Sequence, residues 1–326
     1  MEWDGFKIAL GIVLMGILPI LFLLLQRKRK LYEVLDIPGK IIYLLSLANL
    51  CGILVSMGNV EVAFSVLVGS SICHLLVVQG ICFIQGKVQY VGIEKEQLIQ
   101  KRKRSFSDII NNFSNNLESS SMFLTISFIV LLLLCADYLF YRGQGQNNLS
   151  RVDGGILILT GVAYFFLEGN KIGWQTIFSK VMKYIKEAPL KNIGAVLLLE
   201  VCILFGSYYL ADGFLAVGIG HSILPYMIGF LFISWCVNII NIGVVSLSEE
   251  IHHNSCNQTS IFSITILLGI CTICKEIYIS TYEIYDLIIL SLISIFFIFP
   301  IKIDSRLIGC CRMTVYFALI FYMLFR

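Results

Sequence analysis

The chain is 326 residues long, 58% hydrophobic and only 14% charged, with a mean hydropathy of +0.86. Soluble domains hold roughly 45–50% apolar and about 25% charged residues, which excludes a soluble enzyme or a nucleic-acid-binding protein and makes the lipid bilayer the first partner. The formal net charge of +3 says little, but its distribution along the chain says more.

A membrane-crossing helix needs about 20 predominantly apolar residues. In chain order, ten such stretches are predicted: 5–26, 39–57, 60–86, 120–141, 153–169, 192–213, 220–247, 258–275, 284–301 and 307–325. The first is long enough to span and lacks a small-residue cleavage site, so it reads as a helix rather than a signal peptide. The link between the second and third is very short, around Gly58-Asn59, and so is that between the sixth and seventh, around Asp212-Gly213. The 11 cysteines lie mostly inside these runs and read as small packing residues, not as a disulfide or zinc framework.

Basic residues test the count. The first, third, fifth, seventh and ninth connectors hold five, six, five, none and three lysines and arginines, 19 of the 24, with Arg312 counted in the ninth. The opposite side holds only Lys7, Arg142, Arg151, Lys275 and Arg326. The positive-inside rule therefore places the odd connectors in the cytoplasm and both termini outside a plasma or bacterial inner membrane. The run Lys101-Arg102-Lys103-Arg104 acts as a topology signal with affinity for anionic lipid.

Five spans per half is an odd number, so the halves insert in opposite orientations, and sites then lie near the bilayer midplane. The expected fold is an all-α polytopic membrane protein, ten transmembrane helices arranged as two inverted five-helix repeats. The first repeat covers 1–169 with a basic cytoplasmic connector at 87–119, a cytoplasmic amphipathic hinge covers 170–191, and the second repeat covers 192–326. Within the hinge, Trp174, Ile177, Phe178, Val181, Met182 and Ile185 follow the spacing of a helix lying on the membrane surface.

Two spans are interrupted alike. One carries Gly69-Ser70-Ser71-Ile72-Cys73-His74 and follows Ser46-Leu47-Ala48-Asn49. The other carries Thr259-Ser260-Ile261-Phe262-Ser263 and follows Asn238-Ile239-Ile240-Asn241. In hydrocarbon, such side chains are tolerated where they face other helices or a polar cavity. Matching interruptions in two halves point to a transporter's binding site.

With these segments the chain resembles the sodium/calcium exchanger (cation/calcium antiporter) superfamily in its short bacterial ten-helix form. Gly58-Asn59-Val60-Glu61-Val62-Ala63 through Val77-Val78-Gln79-Gly80 is similar to the family's first repeat, "GNPDLA…VGSNIFNLLLVLG". Leu149-Ser150-Arg151-Val152-Asp153-Gly154 resembles its "LSRLDG" at the start of the fifth helix, and Leu204 to Gly213 resembles "LVLGAYLLVDG" in the sixth. Thr259-Ser260-Ile261-Phe262-Ser263 through Gly269-Ile270 resembles the second "GSNIFNLLLVLGI".

The family builds its cation site around "GTS-[AL]-P-E" in the second and seventh helices. Here the seventh-helix glutamate position falls on Asn241 and the second-helix equivalent near Leu47 to Asn49, with no carboxylate. The Asn or Asp of the "GSN" motifs becomes Ser71 and Ser260, and the paired Asn becomes His74 and Ser263. The resemblance thus implies a cation site lined by Asn241, Asn238, Ser71, Ser260, Ser46 and Asn49. Calcium takes about six to eight oxygens, usually with carboxylates among them. A divalent ion at the midplane without counter-charge faces a severe desolvation cost, which argues against ordinary calcium exchange.

Two residues are candidate titrating partners. Glu200, about nine residues past Lys191, falls roughly 13 Å into the bilayer at 1.5 Å per residue and is the one carboxylate expected near the midplane. His74 lies in the repeat itself. For both, a purely packed, hydrogen-bonded role is the competing reading. Glu249-Glu250-Ile251-His252-His253 has metal-ligand residue types but reads as a solvated turn. No HExxH helix, GxSxG elbow or Walker sequence is present, so the chain reads as no enzyme, with no cofactor beyond a transported cation. The expected function is an exchanger-like transporter moving a cation, against sodium or protons, by alternating access. The alternative is a transport-inactive exchanger fold serving a partner protein as sensor, scaffold or subunit.

Overall fold

Lipid offers no hydrogen bonds, so an apolar chain that enters it must satisfy its backbone internally, and helices do so within one segment. The computed structural model describes residues 2–27, 36–86, 88–89, 119–136, 147–172, 190–221, 224–247, 251–298 and 305–325. Most of the third connector, most of the 170–191 hinge, and Glu249 and Glu250 lie outside the described residues.

Helix occupies most of the described part of each predicted stretch. The elements are α1 (Glu2–Ile12), α2 (Leu18–Arg27), α3 (Asp36–Ser56), α4 (Val60–Cys73), α5 (Gln79–Ile84), α6 (Ser119–Cys135) and α7 (Arg151–Ile172). They continue with α8 (Leu190–His221), the single turn α9 (Pro225–Met227), α10 (Ser234–Leu247), α11 (His253–Phe262), α12 (Leu268–Cys274), α13 (Thr281–Ile298) and α14 (Ser305–Phe325). Among the described residues four π-helical turns join neighbouring pieces into longer rods: π1 (Val13–Ile17), π2 (His74–Val78), π3 (Ile228–Ile233) and π4 (Ser263–Leu267).

Six runs among the described residues are long and apolar enough to cross a bilayer: Trp3–Phe22, Val60–Ile84, Leu197–Gly218, Pro225–Gly243, Asn257–Cys274 and Arg306–Phe325. Their burial separates centre from periphery. The Val60–Ile84 rod is 89% buried, whereas Trp3–Phe22 and Arg306–Phe325 are 22% and 28% buried. α4–π2–α5 is therefore the central post, and α1 and α14 present apolar faces outward, as lipid contact requires.

Glycines set the tightest crossings. α1 packs along α8, where a Cβ on Gly11 would lie 2.8 Å from the Leu210 nitrogen and one on Gly206 2.8 Å from that of Met15. The same contact corrects the expected short link at Asp212-Gly213, because α8 runs through both residues as far as His221. Asp212 pairs with Lys7 at 2.7 Å, and a Cβ on Gly213 would meet Ile8 at 2.8 Å. The dipeptide is a helix-packing device, not a turn. Gly58 does make a turn: at φ +87 it caps α3 in the left-handed region that glycine enters freely.

Among the described residues two short strand pairs tie helix ends together. β1 (Val88–Gln89) runs parallel to β3 (Ile251–His252), and β2 (Asn148–Leu149) antiparallel to β4 (Ile277–Tyr278).

Candidate functional site

The polar residues of the two interrupted rods meet at the centre of the bundle. Gly69 and Gly229 let the rods containing α4 and α10 touch, since a Cβ on Gly69 would lie 2.8 Å from the Phe230 oxygen and one on Gly229 2.7 Å from that of Val62. With backbones that close, short polar side chains bridge what apolar ones would wedge apart. Asn238 of α10 is wholly buried and donates through Nδ2 to the Ser234 carbonyl at 2.9 Å and to the Ser70 carbonyl and hydroxyl at 3.3 and 3.4 Å. Asn241, one turn on, donates to Asn238 Oδ1 at 3.2 Å.

α3 closes the cluster with Tyr43, whose hydroxyl lies 2.5 Å from Ser70 Oγ and whose ring meets His74 edge-on at 5.7 Å. α11 completes it. Thr259 Oγ1 lies 3.0 Å from His74 Nδ1, and Ser260 Oγ reaches the Ser71 carbonyl at 3.5 Å. Four helices, α3, α4, α10 and α11, thus contribute polar groups to one buried cluster.

A π turn breaks the regular ladder and leaves carbonyls less tightly paired. π2 and π4 begin at His74 and Ser263 and stand 189 residues apart, the same interval that separates Ser71 from Ser260. Hydroxyls on these rods bond back to their own helices, Ser71 to the Leu67 carbonyl at 2.9 Å and Ser263 to that of Thr259 at 2.9 Å. Their donors are used locally, so their lone pairs can face a guest.

Asn241, Asn238, Ser71 and Ser260 are brought together, with His74 beside them. Ser46 is buried on α3 with its hydroxyl on the Ile42 carbonyl at 2.7 Å. Asn49 turns elsewhere: its Nδ2 donates to Glu200 Oε1 at 2.6 Å, so these two candidates partner each other between α3 and α8. Ser70, Tyr43 and Thr259 are cluster members that sequence reasoning passed over. Ser70 sits in the flagged Gly69-Ser70-Ser71 run, and one residue of helix rotation turns it, rather than Ser71, toward Asn238.

Two further buried carboxylates, Glu283 and Asp286, stand at the head of α13, away from the cluster. Glu283 accepts from the Ser280 amide at 2.6 Å and donates its own amide to Ser280 Oγ at 3.3 Å, a capping box legible as Ser280-x-x-Glu283. Among the described residues no three His, Cys, Asp or Glu side chains gather as a metal site. The cluster offers hydroxyl, amide and carbonyl oxygens and one imidazole, and no carboxylate from the residues above. That donor set suits a guest with one positive charge or a proton.

The class of molecule follows: a multi-pass, all-α membrane protein whose two interrupted helical rods cross at a buried polar centre. No family model and no curated protein matches the sequence. Among solved structures, the chain is similar to native YfkE over 97% of its length and 88% of that chain, at 15% identity and a TM-score of 0.54. It is also similar to the sodium-calcium exchanger NCX_Mj, soaked with sodium and calcium, over 98% of its length and 97% of that chain, at 14% identity and a TM-score of 0.50. At such identity the likeness is one of fold. The chain shares the fold of these two structures.

Proposed function

We propose that this protein is a membrane transporter that carries a cation through the Asn238–Ser70–Tyr43 cluster by alternating access. The observation that carries the reading is the convergence of polar side chains from four helices on two π turns 189 residues apart. Equivalent irregularities at one interval are what two five-helix repeats of opposite orientation would produce, with ten spans, both termini outside, and halves at 1–169 and 192–326. NCX_Mj, of like fold, is a sodium-calcium exchanger with extracellular ion exchange and binding-site occlusion, which supports a transport role for the fold.

The cargo inferred from the donor set is a monovalent cation, with sodium or a proton as counter-ion, not calcium. Asn241, Asn238, Ser71 and Ser260 would coordinate it through oxygens, Ser46 would stand one turn from Tyr43, and His74 would be the titrating partner. Glu200, held by Asn49, would act from the α8 side. Lipid is the partner throughout.

One observation favours the competing reading of a transport-inactive sensor or scaffold: the Tyr43 ring fills space between Ser70 and His74. Equilibrium binding of radiolabelled sodium and rubidium to the purified protein separates the two. Saturable binding that Asn238→Ala abolishes supports the transporter, and no binding of either ion supports the scaffold.

A further inference from the structure

Beside the cluster runs a second polar chain. Arg312, which charge counting assigns to a connector, lies in the second turn of α14 and is 2% exposed. Its Nη1 donates to the Leu75 carbonyl at 2.8 Å and to Gln79 Oε1 at 2.7 Å, and the guanidinium stands 5.1 Å from the centre of the Phe83 ring. Gln79 Nε2 donates to Asn257 Oδ1 at 2.6 Å, and Asn257 Nδ2 to Ser121 Oγ at 2.8 Å. Helices α14, α5, α11 and α6 are thereby tied in series. A guanidinium stays protonated inside a protein, so the head of this relay does not switch off with pH.

Its position is informative. Leu75 lies within π2, so Arg312 holds the irregular turn from the side. Beyond that turn, α5 and α14 are in backbone contact, since a Cβ on Gly309 would lie 2.6 Å from the Gly80 oxygen. Packed this closely, the two helices form one unit, and π2 joins it to α4. The other rod has the same plan: α12 follows π4 and presses on α7, where a Cβ on Gly269 would lie 2.7 Å from the Gly154 oxygen. The residue 189 positions after Gln79, however, is Leu268, which cannot continue a polar relay.

We propose that the Gln79–Asn257 bond, with Gln79 held in place by Arg312, is a latch closing one side of the polar cluster, the side of the basic connectors, and that α5 and α14 swing together about π2 when it opens. The proposal rests on the transport reading of the cluster and deepens it by naming one gate. Arg312 is a positioning residue here: it acts on π2 and Gln79 and does not touch the cargo.

Native cysteines report on both ends. Cys73 and Cys82 flank π2, while Cys51 and Cys271 lie toward the opposite end, where Lys275 reaches the Gly58 carbonyl; all four are buried. The experiment is maleimide labelling of the full chain in lipid nanodiscs, resolved by peptide mass spectrometry. Gln79→Leu and Arg312→Gln should each speed labelling of Cys73 and Cys82 on the order of tenfold, the effect of losing one charge-assisted hydrogen bond. Cys51 and Cys271 should keep their wild-type rates. A lysine ammonium can donate to the same two acceptors, so Arg312→Lys should label more slowly than Arg312→Gln. A rise at all four cysteines would reduce the relay to a structural plug and overturn the latch, as would no rise at any. Cation flux into liposomes is scored separately: selective opening without flux would refute transport and leave the latch standing.

Discussion

Asn238 holds the centre of the cluster because three acceptors surround its amide group. Interhelical hydrogen bonds in membranes average only about 0.6 kcal/mol, so Asn238→Ala should cost about 1–2 kcal/mol once the unpaired Ser70 groups are included. A thermal melt in detergent checks this. Asn241→Glu places a carboxylate where the family resemblance puts one. It should confer calcium binding absent from wild type, read by isothermal titration; no gain would show that the cluster is not an inherited cation site.

At the Asn49–Glu200 bond, a double-mutant cycle of Asn49→Leu and Glu200→Leu should show coupling of about 1 kcal/mol in stability. Neither residue's choice of partner was legible in the chain, because it depends on which faces α3 and α8 turn to each other. Asn238, Asn241, Ser71 and Ser260 were legible because amides and hydroxyls are conspicuous in apolar runs. Tyr43 was not, since tyrosine is ordinary in a membrane helix.

The helical rods are shaped by where glycine permits contact. Gly206→Ala would push a methyl to 2.8 Å from the Met15 nitrogen, whereas Gly5 has nothing within 4 Å of its would-be Cβ. Overpacking of this kind costs about 1–3 kcal/mol, so Gly206→Ala should lower the melting temperature while Gly5→Ala leaves it in place or raises it slightly. Equal effects of the two would contradict the packing described for α1 and α8. Helix positions were readable from hydropathy alone, since a single apolar segment of about 20 residues satisfies its own backbone in lipid only as a helix. The π turns were not, because one inserted residue changes no composition. Asp212-Gly213 misled for a related reason: an acid beside a glycine signals a turn until a partner helix supplies Lys7 and a close backbone.

For the whole molecule, the order of apolar runs decides the fold. The order of spans and the doubled motif made an exchanger-like architecture legible, and the similarity to YfkE and NCX_Mj supports it across nearly the entire chain. The central claim, that a monovalent cation crosses through the Asn238 cluster, is tested most directly by flux into liposomes holding the purified protein. Sodium, potassium or protons should move well above the level of empty liposomes, calcium should move little, and flux should be lost in Asn238→Ala and Asn241→Ala. Flux of none of these ions, or flux unchanged in both variants, would contradict it.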